Sequence, residues 1–186
     1  LGDVYKRQDQ DKVELSNLNR QLLHGDANIG QWKVDSAAAR LLELNPNLKL
    51  TLHRETMTSQ NVHELTGPAQ LLIDCLDNFP ARRALNQASI DLGIPLVHAG
   101  VEGLQGQITV FHPPVYPCLS CFLPYDSPQE KVPVLGAAPG LFGAWQAMEA
   151  LKLITGLGDP LTGKVFFING LSGEIQEMEL EPDPDC

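Results

Sequence analysis

Along residues 33–45, Val34, Ala37, Ala38, Leu41, Leu42 and Leu44 recur at helical spacing, which gathers them on one face, and Asn45-Pro46-Asn47 supplies a stop. Residues 48–53 alternate like a strand, and residues 59–65 predict a short helix ended by Gly67-Pro68. The run Leu71-Leu72-Ile73-Asp74-Cys75-Leu76 is nearly all apolar, as suits a strand of a parallel sheet covered on both faces. The polar pair Asp77-Asn78 stands at its C-terminal end. Residues 80–92 predict a crossover helix, and Ile94-Pro95-Leu96-Val97-His98-Ala99 predicts the next strand. Residues 107–111 predict a further strand. Residues 112–139 are rich in Pro and Gly and predict an irregular excursion, residues 141–155 return to helix, and residues 164–168 and 174–180 predict a closing antiparallel pair. Residues 9–23, polar and Asn-rich, read as a strand end, then a loop and a helical turn.

The strand-helix-strand rhythm implies an α/β fold with a Rossmann-like, doubly wound and mostly parallel sheet, interrupted by the excursion and closed by the C-terminal pair. With 186 residues, 43% of them hydrophobic, the chain is long enough for one domain with a real core, or for one domain plus a small lobe, and short for two full domains. No apolar run reaches the roughly 18 residues that a membrane-spanning helix needs, and no signal-peptide pattern opens the chain, so the expected compartment is the cytosol. A formal net charge of -10 opposes non-specific binding to phosphate backbones.

Residues 1–8 show no periodicity that joins them to residues 9–23, and Asp3-Val4-Tyr5-Lys6-Arg7-Gln8 is the translation of an end sequence used in transposon-based sequencing libraries. These residues are therefore expected to be translated adapter, with residues 9–186 forming a nucleotide-binding domain whose first βα unit is missing. An uninterrupted native reading frame encoding the same octapeptide would contradict this.

Ligands of open α/β sheets sit beyond the carboxyl ends of the strands. Asp77 stands at such an end and suits a divalent cation that neutralises phosphate charge, but the position equally suits a carboxylate capping the helix that starts near Pro80. Asp9 and Asp11 fall where a first βα unit places an acid for ribose hydroxyls; the glycine fingerprint that precedes such an acid is not in the sequence, and taken by itself the pair reads rather as a solvated loop. Arg20 and Lys33 are the nearest cations in sequence. An Arg forks two bonds to phosphate oxygens and a Lys supplies a point charge, yet either serves as an ordinary surface charge.

Cys118-Leu119-Ser120-Cys121 has the spacing that lets both thiolates reach one metal, and Cys186 offers a third ligand for a tetrahedral site. A redox dithiol competes with this reading. Such a motif opens a helix after a strand, whereas Pro117 sets this pair in an irregular loop, which favours zinc. Cys75 is expected to be inert within its apolar run. His24, His53, His63, His98 and His112 lack the spacing of a helical metal site, no G-x-S-x-G motif occurs, and Trp145 and Met148 are expected in the core.

Taken in order, Asp9-Gln10-Asp11, Ser16-Asn17-Leu18-Asn19-Arg20-Gln21, Gly30-Gln31-Trp32-Lys33, Asp74-Cys75-Leu76-Asp77-Asn78, Gly106-Gln107-Ile108-Thr109-Val110-Phe111, the Cys118/Cys121 pair and Gln146-Ala147-Met148-Glu149-Ala150 resemble the HesA/MoeB/ThiF family. These are ubiquitin-activating-enzyme-like adenylyltransferases, with molybdopterin-synthase and thiamine-biosynthesis members. The resemblance implies that Asp9, with Asp11 beside it, binds the ATP ribose, and that Ser16, Asn17, Asn19, Arg20 and Lys33 engage the phosphates. It implies Asp77 as the Mg²⁺ carrier with Asn78 beside it, and Arg20, Lys33 and Asp77 as the catalytic set. Cys118 and Cys121 would be zinc ligands, with Cys186 the first cysteine of a second pair.

The implied reaction is adenylylation by ATP of the C-terminal glycine carboxylate of a small ubiquitin-like sulfur-carrier protein of the MoaD or ThiS type, within a homodimer. A sulfurtransferase or cysteine desulfurase would act next. The family's glycine-rich loop and an arginine supplied across the dimer lie upstream of Asp9, and residues 129–140 lack the cysteine that many members use for a thioester, which disfavours that step. Two other functions compete: a tRNA-modifying dehydratase of the same superfamily, which the acidic composition opposes, and a non-catalytic zinc-stabilised scaffold that binds the carrier.

Overall fold

The computed structural model describes residues 4–125, 134–184 and 186. Residues 1–3 of the expected adapter segment, residues 126–133 of the excursion with part of its cysteine-free stretch, and Asp185 lie outside the described residues. Two compact units meet in sequence at Thr66 and Gly67.

In the first unit, β1 (Val4–Gln8) pairs in parallel with β2 (Lys49–His53), and the Asp9 amide donates to the His53 carbonyl at 3.1 Å just beyond. The helix read from residues 33–45 forms as α1 (Lys33–Leu44), burying Val34, Ala37 and Ala38 while Leu44 stays 65% exposed. The short helix expected over residues 59–65 forms slightly later, as α2 (Val62–Thr66), and buries Val62 and Leu65. Between β1 and α1 the chain is a loop with single helical turns at Leu15–Asn17 and Asp26–Asn28.

The second unit opens with the expected strand-helix-strand: β3 (Leu72–Asp74), α3 (Phe79–Leu92) and β4 (Leu96–Glu102), with β3 parallel to β4. From there the expectation of a mostly parallel sheet fails. β4, β5 (Gln105–Phe111), β6 (Lys164–Asn169) and β7 (Glu174–Glu179) pair antiparallel in chain order, giving a mixed α/β fold. Connection length explains the first of these pairings. Only Gly103 and Leu104 separate β4 from β5, and a parallel crossover needs about a dozen residues. β3 is an edge strand of this sheet, and Ile73 within it is 44% exposed, so the strand is not covered on both faces.

Helix α5 (Ala137–Thr155) packs on β4 and β5 over a core of Val97, Ile108, Val110, Phe142, Leu161 and Ile168. The approach is close at Gly106, where a Cβ would lie 2.5 Å from the Gly100 carbonyl oxygen and 2.6 Å from the Phe142 ring. Trp145 joins this core, edge-on to Phe166 at 5.7 Å. Met148 does not. It is 54% exposed, because the buried stripe of α5 runs through Ala138, Phe142, Gln146, Glu149 and Ala150 and leaves Met148 off it. Among the described residues no helix is long and apolar enough to cross a membrane.

Candidate functional site

In the first unit, Asp9 comes directly after β1, at the carboxyl end of a parallel strand, where an open α/β sheet presents its ligand groups. Its Oδ1 accepts the Asp11 amide at 2.9 Å. The Lys33 ammonium, on the first residue of α1 and 8% exposed, donates to Asp11 Oδ2 at 2.7 Å and lies 4.0 Å from Asp9 Oδ1. The structure thus brings together three residues that single-residue reasoning leaves as loop and surface charges. Both carboxylates and the ammonium are joined in one cluster.

The neighbouring loop is organised by Asn17, which is buried and accepts the Glu14 amide on its Oδ1 at 3.0 Å, while its carbonyl takes the Arg20 and Gln21 amides. Asn17 therefore shapes the loop that carries the expected phosphate contacts. Arg20 Nη1 donates to the Ser16 carbonyl and to Asn19 Oδ1, each at 2.9 Å, and Ser16 Oγ donates to Glu14 Oε2 at 3.3 Å. His24 Nδ1 lies 2.8 Å from Ser36 Oγ. Burial, then the charges of Arg7 and Lys33, push its imidazole below the ordinary value against the pull of Asp9.

In the second unit, the strand ends three residues before Asp77, which is exposed on the turn leading into α3. The cap of α3 belongs to Asn78, not Asp77: its Oδ1 accepts the Ala81 amide at 2.9 Å. This corrects the capping alternative for Asp77. It also gives Asn78 a structural task, and its Nδ2 stands 3.5 Å from Asp77 Oδ1. Cys75, expected to be inert within a strand, lies past the end of β3 and is exposed.

Behind this turn is a buried polar network. Asp74 Oδ2 receives His98 Nδ1 at 2.6 Å and pairs with Arg82 Nε at 3.2 Å, and Asp74 Oδ1 accepts the Leu76 amide at 2.9 Å. Gln146 Nε2, from α5, donates to the Asp74 carbonyl at 2.9 Å. Burial pushes the Asp74 carboxyl up, but the His98 hydrogen bond and charge, the Arg82 charge and the Leu76 amide outweigh it and hold the group below the ordinary carboxylate value. Sequence reasoning gives Asp74, His98, Arg82 and Gln146 no individual role. A signal is nevertheless there: each of two apolar runs flanking a crossover helix holds one polar residue, and parallel register sets Asp74 beside His98.

The cysteines converge. Cys118 Sγ lies 3.9 Å from Cys121 Sγ and 3.4 Å from Cys186 Sγ, and all three sulfurs fall within 4.8 Å of one another. Contrary to the loop expectation, Cys118 opens the single turn α4 (Leu119–Phe122), its carbonyl accepting the Cys121 and Phe122 amides. Loop context therefore does not exclude a redox pair; the convergence of a third sulfur is what favours a metal. Helix α3 holds the turn in place through Asn86 Oδ1, which accepts the Leu119 amide at 2.9 Å, and Arg83 Nη1, which donates to Ser120 Oγ at 3.1 Å.

Burial pushes the Cys118 thiol up, but the Cys121 amide, the Cys186 thiol, the Ser120 amide and Asn86 outweigh burial and hold it below the ordinary value. Hydrogen bonding to Cys118 and Cys121, with burial and their charges adding to it, pushes Cys186 up to about 12. The two thiols are thus pushed in opposite directions. A divalent cation among the sulfurs would resolve that opposition by displacing the protons.

Comparison with known proteins gives the fold and its relatives. The ThiF family model matches residues 7–186. The adenylyltransferase and sulfurtransferase MOCS3-2 of Zea mays is 38% identical, over 96% of this chain and 38% of its own length. The sulfur carrier protein adenylyltransferase of Thermus thermophilus is 35% identical, over 96% of this chain and 70% of its own length. The chain thus spans less than half of the plant relative and more than two thirds of the bacterial one. Among solved structures, the microcin C7 biosynthetic enzyme MccB in complex with N-formylated MccA has a TM-score of 0.89 at 18% identity, over 98% of this chain and 59% of that one. At that identity the likeness speaks for the fold alone.

Proposed function

The chain belongs to the ThiF family, and from that premise we propose that it uses ATP to adenylylate the C-terminal glycine carboxylate of a small ubiquitin-like sulfur-carrier protein. The observation that carries this reading is the family match over residues 7–186, joined to one relative named as an adenylyltransferase and sulfurtransferase and another named as a sulfur carrier protein adenylyltransferase. A carboxylate oxygen of the carrier attacks the α-phosphorus of ATP. The bond from that phosphorus to the bridging oxygen breaks, pyrophosphate departs with the electron pair, and the acyl-adenylate remains for sulfur transfer by a sulfurtransferase or cysteine desulfurase.

No side-chain nucleophile is needed, so the chain's contribution is positioning and charge. Arg20 and Lys33 neutralise phosphate charge, with Ser16 and Asn19 beside them and Asn17 holding their loop. Asp9 and Asp11 take the ribose hydroxyls, and Asp11 also keeps the Lys33 ammonium in place at 2.7 Å. Asp77, an exposed carboxylate with Asn78 alongside, suits Mg²⁺, which supplies charge neutralisation for the departing pyrophosphate. Cys118, Cys121 and Cys186 suit a structural zinc, as a thiol-rich donor set within 4.8 Å does. Free thiols of this kind persist in the reducing cytoplasm, where we place the protein.

A homodimer is supported by α5, where Leu141, Met148, Leu151 and Ile154 are all about half exposed or more. Sedimentation of the protein from its native gene is expected to report a dimer, and Leu151→Glu to shift it to monomer. A wild-type protein that stays monomeric at micromolar concentration would refute the dimer. The activity itself is tested by carrier-dependent exchange of labelled pyrophosphate into ATP. A protein that binds the carrier without catalysing exchange would be a scaffold instead.

A further inference from the structure

Both polar groups of the Leu76 backbone are held by side chains, one from buried Asp74 and one from half-buried Arg82. The Leu76 amide donates to Asp74 Oδ1 at 2.9 Å, and its carbonyl accepts from Arg82 Nη2. Leu76 immediately precedes Asp77, and the Asn78 cap pins the chain on the other side. The residue that would carry Mg²⁺ is thus exposed, yet its backbone is fixed at both neighbours.

The clamp has its own support. Asp74 is 1% exposed at its side chain, its carbonyl is taken by Gln146, and its second oxygen is shared by His98 and Arg82. His98 is fully buried beside Phe111 and Phe122, with ring centroids 5.5 and 6.5 Å away. Among the described residues its Nε2 has no hydrogen-bond partner. A phenyl ring would fill this aromatic site without a buried polar atom, and an unsatisfied buried nitrogen is costly. The one bond that the imidazole makes and a phenyl could not is the bond to Asp74.

We propose that Asp74, steadied by His98, is a positioning residue for the adenylyl transfer, acting through the Leu76 backbone to set where Asp77 presents its carboxylate. This rests on the function proposed above. The competing account is a strand-end staple that stabilises the fold and nothing more. Positioning matters to rate because a displacement of ~1 Å in a reacting constellation costs up to ~10²-fold.

The two accounts separate in a double-mutant cycle on the protein expressed from its native gene. Asp74→Ala and His98→Phe are each made alone and together with Asp77→Asn, and carrier-dependent pyrophosphate exchange is measured across a Mg²⁺ titration at saturating ATP. In the wild-type background Asp74→Ala is expected to lower exchange by ~10-fold or more and to raise the Mg²⁺ needed for half-maximal rate, while the KM for carrier holds. In the Asp77→Asn background it should cost almost nothing further, the non-additivity that a shared element produces.

His98→Phe keeps the aromatic packing and should show a smaller loss with the same non-additivity; it decides the matter where Asp74→Ala does not fold. Hydrogen exchange at the Leu76 amide should accelerate in both variants. Equal fold-losses in the two Asp77 backgrounds, or an unchanged Leu76 amide, would overturn the positioning role. A wild-type protein without any exchange activity would instead sink the functional reading on which the role depends.

Discussion

Cys186 brings its sulfur to 3.4 Å from that of Cys118, although 68 positions separate them in the chain. Convergence over that distance is what the metal reading needs and what a local redox pair does not. The protein is expected to hold about one zinc per chain, and Cys118→Ser to lose most of it. Because the three thiols must shed their protons to ligate, occupancy should fall as pH falls. Metal analysis of the wild type and the variant between about pH 8 and pH 5 provides the check, and undiminished zinc in Cys118→Ser would remove the site.

Asp74 predicts an acid limb in the stability profile. Its carboxyl is held below the ordinary 3.8, so the network's contribution is fully present above that pH and is lost as pH falls through the lower folded value. Asp74→Asn leaves His98 and Arg82 without their anion and should cost about 3–5 kcal/mol at neutral pH, the usual scale for breaking a buried pair. Melting curves recorded from about pH 7 down to pH 3 should show the gap to wild type narrowing below about pH 4. A gap of constant size would contradict the assignment.

Asn78, and not Asp77, caps α3. Replacing the cap with Ala, in Asn78→Ala, should destabilise the protein by about 1 kcal/mol. Asp77→Asn should stay within about 0.5 kcal/mol, as an exposed substitution away from a cap does. Denaturant titration of both variants reads this directly, and the reverse ranking would return the cap to Asp77.

How much of the fold is legible in the sequence depends on the strength of each local signal. α1 is legible because its apolar spacing and stop are unambiguous, α3 because it lies between two apolar runs, and Asp77 because it closes an apolar run with a polar pair. The cap is easily misplaced by one residue because Asp and Asn are nearly equal caps and sit side by side. α4 is a single turn, too short to show any period.

Sheet direction is misjudged when the βαβ rhythm is weighed above the two-residue link between β4 and β5, which permits only an antiparallel return. His98 escapes notice because an imidazole inside an apolar run looks like core until its neighbour in register, Asp74, is known. Met148 suggests a core position by residue type alone, and only the buried stripe around α5 shows that it lies off that face.

The most direct test of the proposed function is carrier-dependent exchange of labelled pyrophosphate into ATP, measured on the native gene product and on Asp77→Asn. Since Asn78 supplies the helix cap, the variant should fold and melt like the wild type. If Asp77 holds Mg²⁺ for the departing pyrophosphate, exchange should require the carrier protein and should drop by ~10²-fold or more in the variant, the scale of losing one preorganised transition-state contact. Carrier-independent or absent exchange in the wild type, or near-native exchange in a folded Asp77→Asn, would contradict it.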